Sequence, residues 1–151
     1  MAARTRYEAN VCVLLRRKVR WLLSVRSAAA AYAPGSLGLV GGHVEPDLGP
    51  DILERTARRE LAEETGIDLT GVDLHYLASG LYPGPQEQPV LTVTFAGELP
   101  AGARARLTAP DELDAVGWWS PAELADDPRC APWLPGLVAG AEALLDRLRR
   151  R

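Results

Sequence analysis

The sequence holds one lysine (Lys18), one phenylalanine and two cysteines, and it carries no excess of positive charge, the net charge being −3. Without a basic stripe to track a phosphate backbone, no nucleic-acid polymer is expected as a partner. Cys12 and Cys130 are far apart and form no C-x-x-C pair. That argues against a disulfide framework or a cysteine-rich metal site and leaves both as small packing residues. No apolar run approaches the ~20 residues that cross a bilayer, and Met1–Asn10 is polar. The expectation is therefore a soluble, cytoplasmic protein with no membrane contact. Repeats, linkers and low-complexity tracts are also missing. With 47% hydrophobic and 25% charged residues over 151 positions, the chain reads as a single globular domain, 1–151, long enough to bury its own core.

What stands out instead is an acidic stretch, Arg59-Glu60-Leu61-Ala62-Glu63-Glu64-Thr65-Gly66-Ile67, with Gly41-Gly42-His43-Val44-Glu45 upstream. On a helix, positions three and four apart share a face, so Glu60, Glu63 and Glu64 crowd three carboxylates together. Their repulsion asks for a counter-charge. All-oxygen ligands favour a hard divalent ion, Mg²⁺ or Mn²⁺, shared between carboxylates, water and substrate phosphates. The plainer reading is a solvated acidic helix face. Arg59 beside these acids is placed to clamp Glu60 or Glu63 through a bidentate pair, fixing the carboxylate orientation.

Together these residues resemble the Nudix box, written G-x5-E-x7-R-E-U-x-E-E-x-G-U with U a bulky aliphatic residue. Its second half is complete here, Arg59 through Ile67. The first half departs: Leu48 stands where the first Glu is expected, and a three-residue insertion after Glu45 would bring Asp51 to that place. Val40 replaces the proline often found before the double glycine. The resemblance implies a Nudix hydrolase (MutT-like), an α/β/α sandwich with a mixed central sheet. It also implies Mg²⁺-dependent hydrolysis of a phosphoric anhydride bond in a nucleoside diphosphate linked to another moiety, such as a nucleotide sugar, a dinucleotide or a nucleoside triphosphate. It further implies that the Gly41 carbonyl helps hold metal, that Glu45 is an additional ligand or supporting acid, and that Glu112, ahead of a Trp strand, is a metal ligand or general base. Which of Glu64, Glu60 and Glu112 takes the proton stays open. Some members of the family build the pocket across a dimer, which leaves a homodimer open. An alternative is a catalytically silent Nudix-fold module that only binds a nucleotide; another is an acidic helix serving as a protein-contact surface.

The remaining pattern supplies the frame. Val11–Leu15 and Trp21–Val25 read as a hairpin with Arg26 at its end, where a basic side chain could face a phosphate or solvent. Leu37–Val40 and His43–Glu45 read as short strands broken by Gly41-Gly42. The helix should begin at Pro50 or Asp51 and end at Thr65, its Leu53/Ala57/Leu61 stripe buried beside the carboxylates. Leu74–Leu81 and Val90–Leu99 read as longer strands. The Pro-rich Tyr82–Pro89 loop between them is the place to look for groups that choose the substrate. The loop carrying Arg104 and Arg106 reads as a solvated turn. Trp118 and Trp119 should face opposite sides of a strand, one in the core and the other, taken as Trp118, bordering the nucleotide. Ser120-Pro121-Ala122-Glu123 forms a capping box, and a closing helix spans Leu134–Leu148.

Overall fold

A computed structural model describes residues 4–46 and 48–151. Strands β1 (Glu8–Arg17) and β2 (Arg20–Arg26) form the expected hairpin. Their mutual pairing is confined to the turn end, Arg16 with Trp21 and Arg17 with Arg20. Beyond it the two strands splay. The wedge is filled by β3 (Leu37–Gly38), which pairs with β2, and β4 (Val40–His43), which pairs with β1. Strand β6 (Pro89–Glu98) runs parallel to β1 along its other edge, β5 (His75–Pro83) runs antiparallel to β6, and β7 (Leu113–Trp119) closes the sheet against β2. The seven strands make one mixed sheet.

Period-two alternation sorts the sheet's side chains to two cores. On one face Val11, Val13, Leu15 and Phe95 meet Ala57 and Leu61 of α1 (Ile52–Thr65). On the other, Leu14, Leu23, Val25 and Ala96 meet α2 (Pro121–Asp126) and α3 (Leu134–Arg149) through Leu124, Leu134, Val138 and Leu145. Each fully buried Leu or Val contributes about 1.5–3 kcal/mol relative to exposure, which makes the two cores the main support of the layers. Trp118 and Trp119 divide between the same two cores, as alternation requires. No helix among the described residues is long and apolar enough to cross a membrane.

Three boundaries differ from the sequence reading. Gly41-Gly42 does not break a strand: β4 runs through both glycines, and the interruption falls at Leu39. The pairing of Gly41 with Cys12 and Gly42 with Val11 holds the segment extended. Helix α1 begins at Ile52, not at Pro50 or Asp51. Asp51 precedes it with φ 55, a left-handed conformation that no side-chain cap supports. Strand β5 continues through Tyr82 to Pro83, so the predicted loop begins later, and a short turn at Pro85–Glu87 leads into β6. The capping box at Ser120 and Glu123 is present with both of its hydrogen bonds.

Candidate active site

Helix α1 carries the acids, and its buried stripe decides which of them goes inside. Ala57 and Leu61 are fully buried, and the next position on that face, three residues on, is Glu64, only 5% exposed. A carboxylate thus occupies a core position. The Gly41 N–H donates to its Oε2 at 3.2 Å, the one hydrogen bond that the backbone of the described residues gives it. Glu60 is half way out, with its side chain 15% exposed, and Glu63 faces solvent at 60%. The three carboxylates therefore form a gradient of burial rather than one even patch.

Burial and mutual repulsion set the acidities. The Glu64 carboxyl is pushed up to about 8, first by burial and then by the negative charges of Glu60 and Glu112, against the opposing Gly41 hydrogen bond. Glu60 is also raised, mainly by burial, with Arg59 pulling the other way and Glu63 and Glu112 adding repulsion. Arg59 does not form the expected bidentate pair. It divides itself among three acids, Nη1 to Glu45 at 3.2 Å, Nη2 to Glu60 at 3.2 Å and Nε to Glu63 at 3.7 Å. A single guanidinium reaching three carboxylates spreads its charge at the cost of hydrogen-bond geometry, and its Nε has no hydrogen-bond partner.

Both upstream glycines are demanded by this packing. A Cβ on Gly42 would lie 2.5 Å from the Glu60 carboxyl carbon, and one on Gly41 would lie 2.1 Å from the Val11 carbonyl oxygen. Gly42 therefore lets the acidic helix sit directly on β4, and Gly41 lets β4 lie close against the β1 backbone.

Glu112 reaches the same place from the other end of the chain. Its carbonyl accepts from the Ser27 N–H, and its negative charge helps to raise the carboxyls of Glu64 and Glu60. The preceding loop is tied to the end of α1. The Thr108 N–H donates to the Glu64 carbonyl at 3.1 Å, the Arg106 N–H to the Thr65 carbonyl at 3.0 Å, and the Thr108 hydroxyl to the Glu63 carbonyl. These bonds satisfy carbonyls that a helix end otherwise leaves open. The loop with Arg104 and Arg106 is thus no free solvated turn. The available signal was the alternation Ala103-Arg104-Ala105-Arg106-Leu107, since Ala103 and Ala105 pack on the α1 core.

The other expected residues fall around this cluster. Glu45 is exposed and enters only through Arg59. Arg26 uses its Nε to hold the Tyr32 carbonyl at 2.9 Å, and its charge reaches the Cys12 thiol, which burial pushes up to about 12. Trp118 is not brought to the carboxylates. It sits at the far end of β7 from Glu112 with the Arg17 guanidinium 4.1 Å from its ring centre, and it borders a separate open depression with Arg20, Trp119 and Arg129.

Among the described residues no three acidic, histidine or cysteine side chains are already closed into a ligand cluster. The donor chemistry nonetheless fits a hard divalent cation. Glu64 is a buried acid facing Glu60 and Glu112, with a single backbone donor as compensation, and an oxygen-seeking cation would relieve that repulsion.

A family model described as the NUDIX domain matches residues 6–139. Among solved structures, the MutT protein from Methanosarcina mazei aligns with a TM-score of 0.72 at 23% identity, covering 99% of this chain and 100% of that one. The NUDIX domain of Shewanella oneidensis NrtR, complexed with ADP ribose, aligns with a TM-score of 0.74 at 20% identity, covering 93% and 90%. A Caenorhabditis elegans Ap4A hydrolase binary complex aligns with a TM-score of 0.69 at 19% identity, covering 93% and 97%. At these identities the structures establish a shared fold. No curated protein matches the chain.

Proposed function

The chain belongs to the Nudix family of hydrolases acting on phosphoric anhydride bonds, and from that premise we propose that it is a Mg²⁺-dependent pyrophosphohydrolase of a nucleoside diphosphate linked to another moiety. The observation that carries the reading is the buried Glu64 carboxyl group held by the Gly41 N–H, with the Glu60 carboxyl packed on the neighbouring Gly42. Such a cluster repels a diphosphate unless a cation intervenes. Glu60, Glu63 and Glu64, with the Gly41 carbonyl, would hold Mg²⁺ or Mn²⁺. Once bound, the ion supplies charge neutralisation for the diphosphate and an acidified water.

The chain's own groups do the rest. Gly41 fixes the Glu64 carboxylate by its N–H, and Arg59 orients Glu60, Glu63 and Glu45. Glu64, Glu60 or Glu112 would accept the proton of the attacking water. Glu64, raised to about 8 in the metal-free protein, would ionise as a cation binds beside it and only then serve as a base. That the NrtR domain binds ADP ribose and the nematode relative is an Ap4A hydrolase supports a nucleoside diphosphate substrate class.

The test is hydrolysis of a panel of nucleoside diphosphate derivatives and nucleoside triphosphates, with and without Mg²⁺, beside Glu64→Gln. Cleavage that needs the metal and is lost in the variant is expected. Metal-independent cleavage, or an equally active Glu64→Gln protein, would overturn the assignment. Binding without cleavage by the native chain would favour a silent nucleotide-binding module.

A further inference from the structure

Strand β5 is an outer edge of the sheet. Among the described residues it pairs with β6 alone, and His75–Pro83 includes no lysine, arginine, aspartate or glutamate. Exposed edges are normally blunted by such charges, by proline or by being short, because their unpaired N–H and C=O groups otherwise recruit another strand. Here a register shift between Tyr76 and Ala78 disturbs only the start of β5, and proline enters only at its last position, Pro83. The stretch from Ala78 to Tyr82 is left open.

The hairpin that joins β5 to β6 fixes which backbone groups point outward. Pro83 stands opposite Pro89, and neither has an N–H to give. The next pair toward the turn is bonded, the Gly84 N–H donating to the Gln88 carbonyl at 2.8 Å. Antiparallel pairs alternate between bonded and unbonded, so Tyr82 and Gly80 turn their backbone groups toward β6, whereas Ser79 and Leu81 turn theirs to the free edge. The side chains of this stretch are apolar and uncovered. Leu81 faces Leu91 across the pair, the two being 53% and 39% exposed. On the opposite face Tyr82 folds back over Gly80, where a Cβ would lie 2.5 Å from its Oη, and its ring remains in solvent.

We propose that this edge is a homodimer interface, in which the β5 strands of two copies pair antiparallel about a two-fold axis through Leu81. In that register the N–H and C=O of Leu81 bond the same groups of its twin. The Ser79 N–H reaches the Pro83 carbonyl of the second copy, so the N–H that Pro83 lacks is replaced by none but the Ser79 carbonyl's open lone pairs. The row Leu91–Leu81 continues into the same two leucines of the second copy, and each Tyr82 falls opposite a Gly80, which leaves both rings room. The occupant is a second copy because the pattern is self-complementary: an isologous contact needs a residue able to face itself, and Leu81 is uncharged and bonds outward. A single nine-residue edge covers less than the roughly 800 Å² per partner of a standard complex, so the dimer should dissociate on dilution. The inference is independent of the chemistry at α1.

Sedimentation velocity over a wide concentration range, on the native chain and Leu81→Lys, is the first measurement. The native chain should rise from the mass of one chain to that of two. Leu81→Lys, which sets like charges against each other at the axis, should stay at one chain with its circular dichroism unchanged. The second measurement treats Leu81→Cys and Tyr76→Cys with a short bis-maleimide, the native chain with its own Cys12 and Cys130 serving as blank. It reads the register even if Leu81→Lys fails to fold. Across the axis the two Leu81 Cα atoms lie about 5.5 Å apart, whereas the two Tyr76 Cα atoms lie about 30 Å apart, so only Leu81→Cys should give a covalent dimer. A native chain that stays monomeric throughout, a dimer that a folded Leu81→Lys leaves intact, growth beyond two copies, or cross-linking of Tyr76→Cys as readily as Leu81→Cys would overturn the proposal.

Discussion

At the scale of single residues, the site depends on a carboxylate placed where a leucine would fit. Glu64 follows Leu61 on the buried stripe, and its carboxyl is raised from 4.5 to about 8. Below pH 4.5 it is protonated in both folded and unfolded chains and changes nothing. Between 4.5 and 8 the unfolded chain ionises first, so the folded state loses stability as pH rises through this window and levels off above it. In EDTA the melting temperature of the native chain should fall across that range, and Glu64→Gln, which cannot ionise, should flatten the slope. A slope unchanged in the variant would show that another group carries it. The glycine beneath Glu60 gives a second expectation. Gly42→Ala sets a methyl 2.5 Å from the Glu60 carboxyl carbon, but the clash is with the end of a movable side chain, so the fold should survive. Turnover should drop about tenfold or more, as misplacing a reacting group by an ångström does. Circular dichroism melting beside steady-state kinetics would separate the two effects; a large loss of melting temperature would contradict the reading.

At the scale of elements, helix α1 was legible because its signals are local. The Leu53/Ala57/Leu61 stripe, the Gly66 stop with φ 70 and the R-E-x-x-E-E spacing all lie within one stretch of sequence. The docking of Glu112 was less so. Its place depends on the 106–108 loop pairing with carbonyls of Glu63, Glu64 and Thr65, a contact between segments far apart in the chain that no periodicity encodes. Trp118 shows the same limit. Alternation puts Trp118 and Trp119 on opposite faces, as found, but both pack against a core, and Trp118 lies near the far end of β7 under Arg17. The loop contact is testable by Thr108→Val, which keeps the shape and removes the hydroxyl that donates to the Glu63 carbonyl. Losing one such bond costs about 0.5–1.5 kcal/mol, so melting should shift only slightly. Turnover should fall several-fold because Glu112 loses its registration with Glu64. Unaltered turnover would mean that Glu112 is positioned independently of the helix end.

At the scale of the whole molecule, one buried arginine joins layers that the hydrophobic cores do not lock by direction. Arg16 on β1 is 4% exposed; its Nε donates to Glu98 of β6 at 3.3 Å and its Nη1 to Asp146 of α3 at 2.7 Å. Arg149 of α3 also pairs with Glu98, so the closing helix is tied to the sheet at two points, Asp146 to Arg16 and Arg149 to Glu98, which Arg16 shares. The Asp146 carboxyl is accordingly held below its ordinary value, chiefly by Arg16. A buried guanidinium is tolerated when its partners are present and becomes costly when one is removed, whereas replacing the cation itself by an apolar side chain of similar length can be nearly neutral. Asp146→Ala should therefore melt at a lower temperature than Arg16→Met, although the second change deletes the more buried residue. Arg16→Met still leaves Glu98 paired with Arg149, whereas Asp146→Ala leaves Arg16, whose Nη2 already lacks a hydrogen bond, with Glu98 as its one acidic partner. Thermal melts of the two variants at neutral pH decide it. The reverse order would mean that the stem of Arg16, packed against Trp21 with its guanidinium carbon 5.9 Å from the ring centre, stabilises the layers more than its charge does.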